Sequence, residues 1–176
     1  MDLFDRMESR QFLGKEFFLW LWYLSDINDG LFKLPDYEVE LYFADQLVLE
    51  VKLSEAEQSK LKGGSPAYAP EARKALQLGK MVTRARFALT REERKWVFTG
   101  DSDRFFLSAI KIPQVLSREE DDAFEERMYL IEELDQIWYD LYRMFLAERL
   151  SPAWSSRTEA MRDWIDEPTD TQPEPR

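Results

Sequence analysis

The chain contains neither cysteine nor histidine. The first absence excludes disulfides, thiolate metal ligands and cysteine nucleophiles. The second excludes imidazole ligands and every Ser-His-Asp arrangement. A cysteine-free chain also fits a reducing compartment. Glycine is scarce, six in all, and Gly63-Gly64-Ser65 lacks the lysine and helix context of a phosphate-cradling loop. Met1-Asp2-Leu3-Phe4-Asp5 has neither the basic nor the apolar region of a secretory signal. A soluble cytoplasmic protein is the expectation. Phe17 to Leu24 is an unbroken apolar and aromatic run, but its eight residues fall far short of the roughly 20 that span a bilayer.

What is present is an aromatic-rich globular composition: 176 residues, 44% hydrophobic and 14% aromatic. That length predicts one domain, over residues 1–166, with a disordered tail over 167–176, where three prolines stand without a large apolar residue. The net charge of −11 argues against whole-surface affinity for nucleic acid. Its distribution is uneven. Residues 1–50 hold eleven acids and four bases, 51–100 hold five acids and eleven bases, and 101–150 hold thirteen acids and six bases. A basic island between acidic flanks can serve an anionic partner, or complement the acidic elements of its own fold.

A helix apolar all round is a buried helix. The run Phe17–Leu24 therefore predicts a central core helix from about Ser9 to Ser25, stopped by the turn formers up to Gly30. Gly14 inside it costs about 1 kcal/mol relative to alanine and suggests close approach of another backbone. From Tyr37 the hydrophobic period becomes two. Tyr37, Val39, Leu41 and Phe43, then Leu47, Leu49, Val51 and Leu53, predict a hairpin turning at Ala44-Asp45-Gln46, with Phe43 opposite Leu47. Residues 54–69 read as a loop, and Pro70 opens a short helix closed by Gly79.

A second meander follows. Met81, Thr83, Ala85, Phe87 and Leu89 should face the core, with Arg84 and Arg86 opposite. The four residues 91–94 should form the turn to Trp96 and Phe98. A further strand is expected over 104–112. Ser117-Arg118-Glu119-Glu120 has the form of a capping box opening a helix to about Leu150. Phe124, Met128, Ile131, Leu134, Trp138, Leu141 and Phe145 mark its apolar stripe, widened by Leu130, Ile137, Met144 and Leu146. Some 30 residues span about 45 Å, so part of this helix should pack beyond the meander, for instance on a second copy. A last short helix is expected over 156–165. The fold class is α+β: antiparallel hairpin and meander packed on an aromatic N-terminal helix and a long C-terminal helix.

Two constellations could carry chemistry. Asp36 after Pro35, then Glu50-Val51-Lys52, outlines a PD-(D/E)xK nuclease core, in which two carboxylates hold Mg²⁺ and a lysine orients water. Glu16 on the first helix would accompany it. The same alternation arises in any half-solvated hairpin. The second constellation is basic: Arg73, Lys74, Lys80, Arg84 and Arg86, continued by Arg91, Arg94 and Lys95. A strand face bearing two arginines can track phosphates, although Glu92 and Glu93 dilute it. The acid pairs Asp121-Asp122, Glu125-Glu126 and Glu132-Glu133 read as the solvated face of the long helix.

Several strings resemble one family. Phe12-Leu13-Gly14-Lys15-Glu16-Phe17 continuing to Leu19-Trp20-Leu21-Trp22 resembles the LGREFLTWLW segment of RdgC-like recombination-associated proteins. Glu71-Ala72-Arg73-Lys74-Ala75-Leu76 with Gly79-Lys80 resembles their EARxALxxGK segment. Glu126 to Leu134, with Leu150-Ser151-Pro152-Ala153-Trp154, resembles their C-terminal helix and its exit. The likeness runs over most of residues 10–155 and concerns the C-terminal region of longer members.

The resemblance implies a non-enzymatic protein, since such proteins form ring-like homodimers around duplex DNA and restrain RecA-type recombinase. This chain departs from them in its acidity and in lacking their N-terminal half, and no DNA-contacting residue of the family carries over. The expectation is a binding module linked to DNA recombination or nucleoid processes, needing no cofactor or metal. It would act through protein contacts, including a homo-oligomer through the helix over 117–150, and through the basic strand face on DNA, with no membrane partner. The alternatives are the Mg²⁺-dependent nuclease and a dimeric scaffold that binds no nucleic acid.

Overall fold

The computed structural model describes residues 3–51 and 58–168, with the side chains of the first helix from residue 12 onward. Helix α1 (Leu3–Ile27) leads to strand β1 (Leu31–Lys33), the long β2 (Glu38–Glu50), β3 (Gln58–Lys62), a 3-10 turn at Pro66–Tyr68 and helix α2 (Pro70–Gln77). Strands β4 (Met81–Arg91), β5 (Arg94–Asp101) and β6 (Phe106–Lys111) follow, then α3 (Glu120–Arg149) and α4 (Trp154–Asp166). The sheet is antiparallel, in the order β1-β2-β4-β5-β6. β3 pairs with the distal half of the β2 edge whose proximal half holds β1. The α+β expectation holds, with both helices packed on an antiparallel sheet. No helix among the described residues is long and apolar enough to cross a membrane.

The apolar run of α1 is enclosed except at Leu19, which is half-buried. Phe17, Phe18, Trp20, Leu21, Trp22, Tyr23 and Leu24 are all buried. The sheet supplies Val39, Leu41, Phe43, Leu47, Leu49, Val82, Ala85, Phe87, Leu89, Trp96 and Phe98 to the same core, and α3 supplies Leu130, Leu134, Ile137, Trp138, Leu141 and Phe145. Trp138 joins the three layers, with ring centroids 5.2 Å from Phe17 of α1, 5.3 Å from Phe87 of β4 and 5.4 Å from Phe98 of β5. Three tryptophans send their indole N–H to an acceptor: Trp20 to Glu148, Trp96 to the Leu130 carbonyl, and Trp164 to Asp26. A large apolar body with one satisfied polar atom is what permits Trp at such depth.

Gly14 is where α1 meets the β5–β6 turn. A Cβ built there would stand 1.9 Å from the Ser102 carbonyl oxygen. The close approach suggested by this glycine is therefore present. Gly30, at φ +76°, follows the end of α1, and the Tyr42 ring covers the space a side chain would need.

Several expectations are corrected. The hairpin at residues 44–46 does not form, and β2 runs straight through them. Against β4, Phe43 faces Phe87 and Leu47 faces Ala85, so a bulge absorbs the two extra residues. Phe43 and Leu47 stay on the core face either way, because they are an even number of positions apart. The end of that hairpin's expected second strand, Lys52 and Leu53, lies outside the described residues. Residues 58–62 form β3 where a loop was expected. A bulge at Thr83 brings Val82, rather than Met81, fully into the core. The β4–β5 turn contains Glu92 and Glu93 alone, with Arg91 paired to Arg94. It is even-numbered, as parity required, but shorter than expected.

The capping box at Ser117 is not made. The N-cap of α3 is Glu119, without a side-chain cap bond. Ser117 instead donates its hydroxyl and its N–H to Glu126, which also accepts the Leu116 N–H. Phe124, Met128 and Ile131 of the expected core stripe are exposed, and Ala123, Leu130 and Leu134 are the buried apolar residues in that half of α3. The tail expected from 167 lies, from residue 169 on, outside the described residues.

Helix propensity alone would have Gly14→Ala stabilise the protein by about 1 kcal/mol. The Ser102 contact reverses the sign. Urea unfolding of the variant should show a loss of about 1–3 kcal/mol, and unchanged or higher stability would contradict this packing.

Candidate functional site

The nuclease constellation does not converge. Asp36 precedes β2 and Glu50 ends it, so the two carboxylates stand at opposite ends of a 13-residue strand. At about 3.3 Å per residue that is on the order of 40 Å, too far to share an ion. Lys52 lies outside the described residues. Glu16 accepts a bond from Arg149 at 2.5 Å, on α3. No group of three or more His, Cys, Asp or Glu that could hold a metal ion occurs among the described residues.

The basic island is largely absorbed by the fold's own acids. Arg73, on α2, lies over the Trp164 ring at 3.8 Å, donates to the Trp164 carbonyl and pairs with Asp26 at 3.4 Å. It thereby ties α2 to α4 and α1. Burial holds its pKa below the usual arginine range, with Asp26 and Glu167 offsetting part of that. Lys80 is buried and donates to the Ser59 hydroxyl at 2.8 Å. Lys74 is exposed on α2. Only Arg84 and Arg86 stand together, on the sheet face away from the helices. Arg84 lies 3.4 Å from Asp101, and Arg86 lies 3.5 Å from Asp45.

Among the described residues, that face is where several of the candidate residues meet. The core takes one face of the sheet, and the alternate residues Tyr42, Val48, Arg84, Arg86, Ala88, Lys95, Val97 and Thr99 are half-buried or exposed. Register aligns Lys60, Val48, Arg84 and Asp101 in one row across β3, β2, β4 and β5, with Gln46 beside Lys62 further along β2. A cleft of about 260 Å³ opens here, lined by Glu50, Lys60, Arg84, Asp101, Asp103 and Arg104 among others. Three cations face three carboxylates, so an incoming anion competes with Asp101 for Arg84.

A second constellation was not foreseen. Glu133, expected on the solvated face of α3, is buried. It accepts from Arg91 at 3.1 Å and Arg94 at 2.6 Å, the two residues that flank the β4–β5 turn. The Arg91 guanidinium lies over the Tyr37 ring at 4.1 Å, and the Tyr37 hydroxyl donates to Asp140 at 2.7 Å. Burial pushes the Tyr37 pKa well up, and the bond to Asp140 and its charge add to this, so the phenol stays neutral and donating. Two clefts of about 530 Å³ each flank Tyr37, one toward Thr90 and Glu92, the other toward Arg143 and Met144. The signal in the sequence was a pair of arginines bracketing a tight turn, but their acid is 39 to 42 residues away.

No protein-family model matches the chain, and no curated protein matches it.

Glu133→Ala would leave two half-buried guanidinium groups without their acceptor. Breaking such a pair should cost about 3 kcal/mol, read as a lowered urea midpoint; a change within experimental error would remove Glu133 as the tie between turn and helix. A pH effect follows from Glu126. Its bonds from Ser117, then from the Leu116 N–H, hold its carboxyl below the ordinary 4.5. The stability it contributes is present above that value and lost as pH falls through the depressed one. Between pH 6 and 3, wild type should lose more stability than Glu126→Gln. Parallel losses would dissociate Glu126 from acid sensitivity.

Proposed function

We propose that the chain is a non-enzymatic binding module of DNA recombination or nucleoid processes, acting in the cytoplasm. It works through protein contacts and through the uncovered sheet face, which contacts the phosphates of duplex DNA without reading sequence. The resemblance of residues 10–155 to RdgC-like proteins supplies the recombination context. One observation carries the nucleic-acid part. The sheet is covered by helices on one face only, and its open face aligns Lys60, Lys62, Arg84, Arg86 and Lys95 across β3, β4 and β5.

Adjacent strands lie about 4.8 Å apart, so Lys60 and Arg84, on either side of β2, project from backbone about 10 Å apart. Long cationic side chains on such a grid can follow a phosphate backbone whatever its sequence. The acids among them, Asp45, Glu50 and Asp101, keep the affinity low. Arg73 and Lys80 have no part in this surface, because both are held inside the fold.

A gel-shift titration of a random duplex against salt tests this. Wild type should bind at low salt, with affinity falling as salt rises. Arg84→Gln/Arg86→Gln should reduce the slope of log K against log salt by about two. Absence of any shift at low salt, or an unchanged slope in the double variant, would overturn it.

A further inference from the structure

Helix α3 carries two apolar stripes, and only one is fully used. Ala123, Leu130, Leu134, Ile137, Leu141 and Phe145 face the core. One residue further on, about 100° around the helix, Phe124, Met128 and Ile131 form a second line at i, i+4 and i+7. They are 61%, 43% and 39% exposed. In the C-terminal half the same line passes through Trp138 and Tyr142, where Phe17 and Phe105 cover it, at 5.2 Å and 4.8 Å between centroids. In the N-terminal half nothing among the described residues does so. A helix that only caps a sheet needs one stripe; a second, in line with a covered one across the exposed Asp135, is the mark of a further neighbour.

Charge decides what kind. Residues 118–135 hold nine acids and two bases. Glu133 is taken by Arg91 and Arg94, and Glu126 by Leu116 and Ser117. Asp121, Glu125, Glu132 and Asp135 remain exposed beside the stripe. Two copies meeting here would oppose acid to acid. A helix with lysine or arginine flanking its own apolar line would satisfy both stripe and rim.

We propose that the N-terminal half of α3 is a docking groove for a basic amphipathic helix of a partner protein, seated on Phe124, Met128 and Ile131 and framed by the exposed acids. This deepens the binding-module reading by giving its protein contact a place and a chemistry, and it rests on that reading.

The probe is a fluorescein-labelled helical peptide of about 20 residues, with leucines at i, i+3, i+4 and i+7 and lysines on the flanks. Its control has the same composition with the leucines dispersed. Anisotropy at moderate salt should show the amphipathic peptide binding wild type at least about tenfold tighter than the control. Ile131→Asp and Phe124→Asp should each weaken it by about tenfold, Asp121→Lys/Glu132→Lys severalfold, with each variant shown by circular dichroism to remain folded, since Ile131 is only 39% exposed and Asp121 lies in the first turn of α3. Equal binding of both peptides, or no loss in the variants, overturns the groove. Sedimentation velocity supplies the other outcome: a dimer dispersed by Ile131→Asp would make the occupant a second copy and overturn the basic partner. Arg84→Gln/Arg86→Gln should leave peptide binding intact, and Ile131→Asp should leave the DNA shift intact. Failure of the groove is thus separable from failure of the sheet face.

Discussion

An eight-residue segment with no polar face has to be surrounded, and the architecture follows from that demand. One layer can cover one side of a helix only. Phe17, Phe18, Trp20, Leu21, Trp22, Tyr23 and Leu24 need the sheet on one side, α3 on another, and α4 through Trp164 at the end. Each indole brought inward adds a donor, and those donors select which acids come with the covering elements. Trp20 takes Glu148 of α3, and Trp164 takes Asp26 of α1. Packing and polar satisfaction are thus one problem, solved at the same contacts.

Electrostatics is the second level of organisation. The chain divides its charge by region, acidic, basic, acidic, and the fold brings the regions against one another. Arg73 meets Asp26, Arg86 meets Asp45, and Arg91 with Arg94 meets Glu133. The basic middle is in large part the counterion of the acidic ends. Among the described residues, two surfaces where this mutual neutralisation is incomplete matter most. One is the open sheet face, where cations and carboxylates interleave. The other is the N-terminal half of α3, where acids border an uncovered apolar line. Both are places where the fold has finished and the surface has not.

The elements legible in the sequence were those whose signal is local. α1 declared itself by its unbroken run, α2 by Pro70 and Gly79, and the strands by period two. The errors share a cause. Phe43 and Leu47 have the same parity whether residues 44–46 turn back or bulge, so burial alternation could not separate a hairpin from one long strand. Ser117 has a capping sequence in Glu120 and a better acceptor in Glu126, and only three-dimensional proximity ranks them. On α3 two apolar lines compete for the core. The chain pattern contains both, and the covered one is chosen by where β4, β5 and α1 lie.

The candidate residues divide in the same way. That Arg84 and Arg86 share a strand face is a statement about period two, and the sequence alone determined it. It also determined the absence of thiol and imidazole chemistry and the burial of α1. Whether an arginine on that island is free or spent is a matter of long-range partners. Arg73 to Trp164, Arg91 to Glu133 and Lys80 to Ser59 join residues between 21 and 91 positions apart. The separation of Asp36 from Glu50 likewise depends on a turn that became a bulge. Tertiary structure decided these, because side-chain charge is neutralised, and carboxylates are gathered or separated, by distances in space that no local period encodes.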